Sequence, residues 1–170
     1  MDECSTNIAL AKLYARAPKG ERAYGEAPRN WGKNVTLIAS LSAKGVGATM
    51  SVEGATDGAA FETYVEHFLL PSLGEGQIVV MDNLQVHKMR RVEELIESAG
   101  AEILFLPPYS PDFSPIEEAF SKVKGILRRV GARTREALLE ATGEALEAVS
   151  RRDAAGWFNH CGYVVPHHSL

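Results

Sequence analysis

The stretch Leu106–Glu118, LPPYSPDFSPIEE, constrains this chain more than any other. Four prolines fall within it: Pro107, Pro108, Pro111 and Pro115. Each fixes φ and steers the preceding residue out of the α region, so the chain approaches stiff and extended and then turns sharply into a helix. Ser114 is placed as the N-cap, Pro115 at the first helical position and Glu117 at the third. Two readings of Glu117 follow. In one, Ser114-Pro115-Ile116-Glu117 is a capping box whose Glu bonds the backbone amide of the cap. In the other, the stiff approach holds the Glu117 carboxylate at one point for chemistry.

The elements around this stretch read as alternating strands and helices. Val35, Leu37, Ala39 and Leu41 recur at every second position, which predicts a strand with one buried face. Ser42-Ala43-Lys44-Gly45 is turn chemistry, and Val46, Ala48, Met50 and Val52 alternate again, so the two strands form a hairpin. Thr56 or Asp57 can cap a helix with Phe61, Val65, Phe68 and Leu69 on one face. Gln77–Met81 is a short continuous apolar run, predicting a central strand buried on both faces and parallel to a neighbour. A helix with Val92, Leu95, Ile96 and Ala99 as its stripe closes at Gly100, and Ile103–Leu106 is another short strand. Beyond the proline approach lie a helix from Pro115 to about Val130, one opened by Arg133 or Thr134, and a short last one that Asp153 can cap. The order predicts a mixed α/β sheet covered by helices.

Length and composition narrow the class. A chain of 170 residues suits one domain with a real core; we place it at 1–163, with a loose tail over 164–170. No apolar run approaches the roughly 20 residues of a membrane span. Cys4 and Cys161 lie far apart and read as free thiols of a cytoplasmic protein. The net charge of −4 argues mildly against nucleic acid, but it hides a local pattern. From Ala119 to Arg135 there is no acid and there are six bases: Lys122, Lys124, Arg128, Arg129, Arg133 and Arg135. Such a run is either a solvated face or a contact for DNA phosphates; the complete lack of acids favours DNA. The loop over 14–34, with Arg16, Lys19, Arg22, Arg29 and Lys33 among aromatics, is a weaker candidate for the same role.

Asp82 ends the Gln77–Met81 strand, and the carboxyl edge of a parallel sheet is where ligands bind. The alternative is that Asp82 caps the following helix. Asn83 either orients Asp82 or forms a turn, and His87 either supports the site or packs at a helix start. His160, Cys161, His167 and His168 look superficially like a zinc cluster, but their spacing matches no standard ligand pattern.

Taken together, the motifs resemble one family. Thirty-four residues separate Asp82 from Glu117. Asp2-Glu3 stands at the front, Met81-Asp82-Asn83 is followed by His87, and LPPYSPDFSPIEE carries the second acidic pair. Arg16–Gly25, Trp31–Asn34 and Gly156–Tyr163 fit the same pattern. The chain resembles the catalytic domain of DDE transposases of the mariner superfamily, specifically the bacterial insertion-sequence branch.

That resemblance implies an RNase H-like fold: a mixed five-stranded sheet flanked by helices, its first strand between the hairpin and the Gln77–Met81 strand. It implies that Asp2, Asp82 and Glu117 are the catalytic acids and metal ligands, with Glu118 the rival to Glu117. Clustered carboxylates cannot all ionise without countercharge. The expected cofactor is Mg²⁺ or Mn²⁺, in two ions roughly 3.5–4 Å apart that clamp the attacking and leaving oxygens of a phosphoryl displacement. The expected partners are double-stranded DNA, at element ends and target, and a second copy in a dimer or synaptic complex.

Two departures stand out. Ser114 replaces the family's Asn, and both are good caps. Only Met1 precedes Asp2, so the first strand is expected to be truncated and the helix-turn-helix region to be absent. An upstream half from another reading frame is the expected complement. The alternative function is a truncated, non-catalytic remnant that binds DNA or full-length transposase. A third reading, another RNase H-like nuclease, fits the 34-residue gap and the PPYSP approach poorly.

Overall fold

The computed structural model describes residues 1–108 and 110–165. Strand β1 (Asp2–Thr6) pairs antiparallel with β2 (Val35–Ser42), which pairs antiparallel with β3 (Gly45–Glu53). Gly45, at φ 123°, closes the β2–β3 turn in a conformation that side-chain-bearing residues rarely adopt. Helix α1 (Gly58–Tyr64) is capped by Asp57, whose carboxylate accepts from the Ala60 amide. The chain then winds wider over Val65–Leu69 and tighter over Leu70–Ser72. Strand β4 (Ile78–Met81) lies parallel to β5 (Glu102–Phe105), joined through a 3₁₀ turn at Gln85–Lys88 and helix α2 (Arg90–Ser98). Three helices follow: α3 (Pro115–Val130), α4 (Arg135–Glu147) and α5 (Arg151–His160). Val164 and Val165 carry no regular structure, and the rest of the expected tail, 166–170, lies outside the described residues.

Strand β2 is buried on both faces over Val35–Ala39, not on one as its alternation predicts. It is the middle strand of three, and helices cover both sides of it. Leu37 and Ala39 face Ile116 and Phe120 of α3 together with Cys4. Ile38 faces Phe61, Tyr64 and Val65, in a core shared with Met81, Val92 and Ile96. Val35 meets Val123, Leu127, Leu138 and Ala145. Phe61 is fully buried, and truncating it to Ala would cost about 3–5 kcal/mol. Phe68 leaves the predicted stripe, because the wider winding from Val65 shifts its phase; it stacks on Tyr64 with centroids 6.4 Å apart and stays 42% exposed.

Two further expectations change. The β4 run is parallel to a neighbour as predicted, but only Val79 and Met81 are buried, while Ile78 and, on β5, Leu104 are more than half exposed. Helices cover one face of this pair and leave the other open. The five strands also form two sheets, β1-β2-β3 and β4-β5, rather than one. They meet where the Met1 ammonium donates to the Val80 carbonyl at 2.7 Å, because β1 begins level with the end of β4. A groove of about 450 Å³ opens beside this junction, lined by Leu41, Leu69, Ile78, Val80, Ile116 and Phe158 among others.

Caps explain the helix ends. Thr134 caps α4 by accepting from the Ala137 amide. On α5 the cap is Ser150, and Asp153, predicted as the cap, is the third-position partner of a reciprocal capping box. Gly131, at φ 63°, ends α3 in the left-handed form that glycine tolerates.

Candidate active site

The three expected acids stand on three elements. Asp2 opens β1, and its Oδ1 accepts the Glu3 amide at 2.7 Å. Asp82 follows the last residue of β4 and accepts the Leu84 amide at 3.1 Å. That bond is a local turn and does not cap α2, whose N-cap is Met89. Glu117 lies in the first turn of α3 and is exposed. Ser114 occupies the N-cap position, but its side chain makes no capping bond. Among the described residues the Glu117 carboxylate has no hydrogen-bond partner, so the capping box that the sequence permits is not formed. Glu118 has Oε1 3.4 Å from His160 Nδ1 and lines one cleft with Glu117.

Electrostatics tie the three together. Burial pushes the Asp2 carboxyl up to about 6, against the pull of its backbone bond, and the charges of Asp82, Glu117 and Glu3 push the same way. Glu117, not Glu118, is the α3 carboxylate whose charge reaches Asp2. Among the described residues, no three His, Cys, Asp or Glu side chains converge closely enough to grip one ion as they stand. The donor chemistry nevertheless fits a hard divalent cation: three carboxylates, one of them half-buried among like charges that an ion would neutralise.

His87 sits under this centre, fully buried in the 3₁₀ turn. Its ring lies against Phe61, centroids 4.5 Å apart. Nε2 is 3.1 Å from Glu3 Oε2 and Nδ1 is 2.5 Å from Asp82 Oδ1. The second contact is close but misaligned for a hydrogen bond, so its character is mainly charge attraction. Burial lowers the imidazole pKa; the Glu3 bond and the two carboxylates outweigh it and leave the pKa raised. Packing and support of Asp82 are therefore combined in one residue. Asn83 is exposed. Glu3 enters the sequence pattern only as part of the Asp2-Glu3 motif; strand alternation is the signal that turns it away from Asp2, toward His87.

The sequence pattern of the DDE superfamily endonucleases matches residues 1–139. The chain belongs to that family. Among curated protein sequences none matches it significantly. Solved structures share its fold. A mariner Mos1 paired end complex with Mg gives a TM-score of 0.72 at 18% identity, covering 94% of this chain and 50% of that one. The Mos1 Strand Transfer Complex gives 0.70 at 18% identity over 94% and 50%. The catalytic domain of Mos1 mariner transposase gives 0.62 at 18% identity over 76% and 69%. The chain thus has the mixed α/β, RNase H-like fold of the Mos1 catalytic domain and spans about half the length of the Mos1 chains in the two complexes.

The bases of this DDE endonuclease divide into two groups. Lys122 meets Asp153 at 2.6 Å, and that contact, with Ser150, holds the Asp153 carboxyl down at about 2. Arg135 meets Glu53 at 3.0 Å. Arg133 donates to the carbonyls of Ile8 and Leu10, both at 3.0 Å, and so ties the β1–β2 loop to the end of α3. Lys124, Arg128 and Arg129 have no ion-pair partner among the described residues. Lys124 lies near enough to the acidic centre for its charge to be felt at Cys4 beside Asp2 and Glu117. His160 and Cys161 line a cleft with Asp112, Ser114, Glu117 and Glu118; His167 and His168 lie outside the described residues. No helix among the described residues is long and apolar enough to cross a membrane.

Proposed function

We propose that this DDE endonuclease is the catalytic domain, over 1–163, of an insertion-sequence transposase that cuts DNA at element ends and joins the freed strand to target DNA. The observation carrying this reading is that the charges of Asp82 and Glu117, from positions far apart in sequence, both reach Asp2. Asp2, Asp82 and Glu117 would hold Mg²⁺ or Mn²⁺, in two ions. Bound there, the metal supplies Lewis-acid activation of water or a 3′-hydroxyl and stabilises the leaving oxygen. The protein's part is to hold the carboxylates: Asp2 by its strand, Asp82 by the Leu84 amide and His87, Glu117 by the proline-stiffened start of α3.

Lys124, Arg128 and Arg129 supply phosphate contacts that seat the duplex over the acids. Lys122, Arg133 and Arg135 add positive potential while bonded within the chain, and Asn83 offers its exposed amide to a phosphate. The two sheets, bridged by the Met1 ammonium, together carry Asp2 and Asp82. A second copy completes a dimer or synaptic complex in the cytoplasm, and a helix-turn-helix half from another reading frame supplies recognition of element ends.

The test is divalent-dependent nicking of duplex DNA by the chain, alone and fused to a helix-turn-helix half. Nicking that disappears in Asp82→Ala and Glu117→Ala supports the assignment; variants that cut like the parent overturn it. A second reading, a non-catalytic remnant that binds DNA or full-length transposase, draws on the spread of the carboxylates. A folded protein whose melting temperature ignores Mn²⁺ would establish it.

A further inference from the structure

We infer that Glu3 is a positioning residue for the acidic centre, acting on Asp82 through His87. The inference rests on the reading of Asp82 as a metal ligand. Adjacent residues of a strand point to opposite faces, so Asp2 and Glu3 divide between the two layers. Asp2 shares its face with Cys4, which packs toward α3. Glu3 turns to the α1 layer, where its side chain is only 12% exposed and its one charged partner among the described residues is His87. A carboxylate buried this far is costly unless paired.

The ring between the two acids has no freedom to turn away. It is 0% exposed, packed on Phe61, and faces a carboxylate at each nitrogen. Both supports of Asp82, the Leu84 amide and His87 Nδ1, fall on Oδ1. Oδ2 carries no partner among the described residues and is the oxygen left for a cation. Glu3 fixes the ring, the ring fixes Oδ1, and Oδ2 is thereby aimed. Partners of this outer kind are worth about 10–100-fold in metal affinity.

The experiment is Mn²⁺ binding to the full chain, followed by the free-ion EPR signal, with melting temperature recorded in parallel. Asp82→Ala should abolish saturable binding. Glu3→Gln, which still accepts a hydrogen bond, should weaken binding about 10-fold or more. His87→Gln separates positioning from simple electrostatics. If charge alone mattered, removing the ring would leave Mn²⁺ binding unchanged or tighter, whereas loss of positioning weakens it. Saturable binding lost in Asp82→Ala but kept within twofold in both Glu3→Gln and His87→Gln overturns this inference and leaves the metal site standing. Binding unchanged in Asp82→Ala overturns the metal site and this inference with it. Should Glu3→Gln not fold, the direction of the His87→Gln change decides.

Discussion

The strand side and the helix side of the acidic centre are built in opposite ways. Asp2 is embedded, bonded to its own backbone and held at a raised pKa by burial and negative neighbours. Glu117 is exposed, and its cap position is filled by a serine that does not cap. The strand side is therefore charged against itself and gains from a cation, while the helix side has the freedom to close on one. A rigid half and an adjustable half together suit a site that must accept ions and then DNA.

The largest expected effect tests that contrast directly. Asp2→Asn and Glu117→Gln should each lower nicking by on the order of a hundredfold or more, yet differ in stability. Asp2→Asn removes a half-buried like charge and should raise the metal-free melting temperature at pH 7; Glu117→Gln should move stability by no more than about 0.5 kcal/mol. The pH dependence follows with its sign. A carboxyl raised from 3.8 to about 6 binds its proton more tightly folded than unfolded. Its favourable contribution is present below 3.8 and is lost as pH rises through about 6. The parent should thus lose stability relative to Asp2→Asn across that window, by thermal melts in chelator. Equal shifts in the two variants would erase the distinction between the two sides.

The bases offer a second, smaller contrast. Replacing Arg128 by Ala should reduce the slope of DNA affinity against salt by about one and leave the fold intact. Arg133→Ala should leave the slope nearly unchanged but cost about 1 kcal/mol, because exposed hydrogen bonds to the loop carbonyls are lost. Filter binding over a salt series, with melts alongside, reads both. The smallest effect concerns two serines at helix starts. Ser150→Ala should cost about 1 kcal/mol, and Ser114→Ala within about 0.5 kcal/mol, by denaturant unfolding. A Ser114 cost equal to that of Ser150 would mean that the start of α3 is held as firmly as that of α5.

Much of the fold was legible because local chemistry decided it. The β2–β3 hairpin, the Asp57 and Thr134 caps and the Gly100 stop all follow from residues within a few positions of one another. Motif and spacing single out Asp2, Asp82 and Glu117, and the charges of the latter two reach Asp2. What escaped was long-range. Periodicity could not say that both faces of β2 are covered, or that one face of β4 is bare, since those depend on where distant helices land. The Glu3–His87 contact joins residues 84 apart in sequence, and no local pattern encodes it. The basic run could not be divided in advance, because Asp153, Glu53 and the Ile8 and Leu10 carbonyls that occupy half of it lie on other elements.

The Arg133 strap has a mechanical consequence. Helix α3 is a rod of 16 residues, about 24 Å long. Glu117 sits at one end, and just past the other Arg133 grips the root of the long loop between β1 and β2. Two hydrogen bonds therefore set where that loop leaves β1 relative to the end of the helix opposite Glu117, so the loop and the carboxylate share one frame although about 24 Å of helix lies between them.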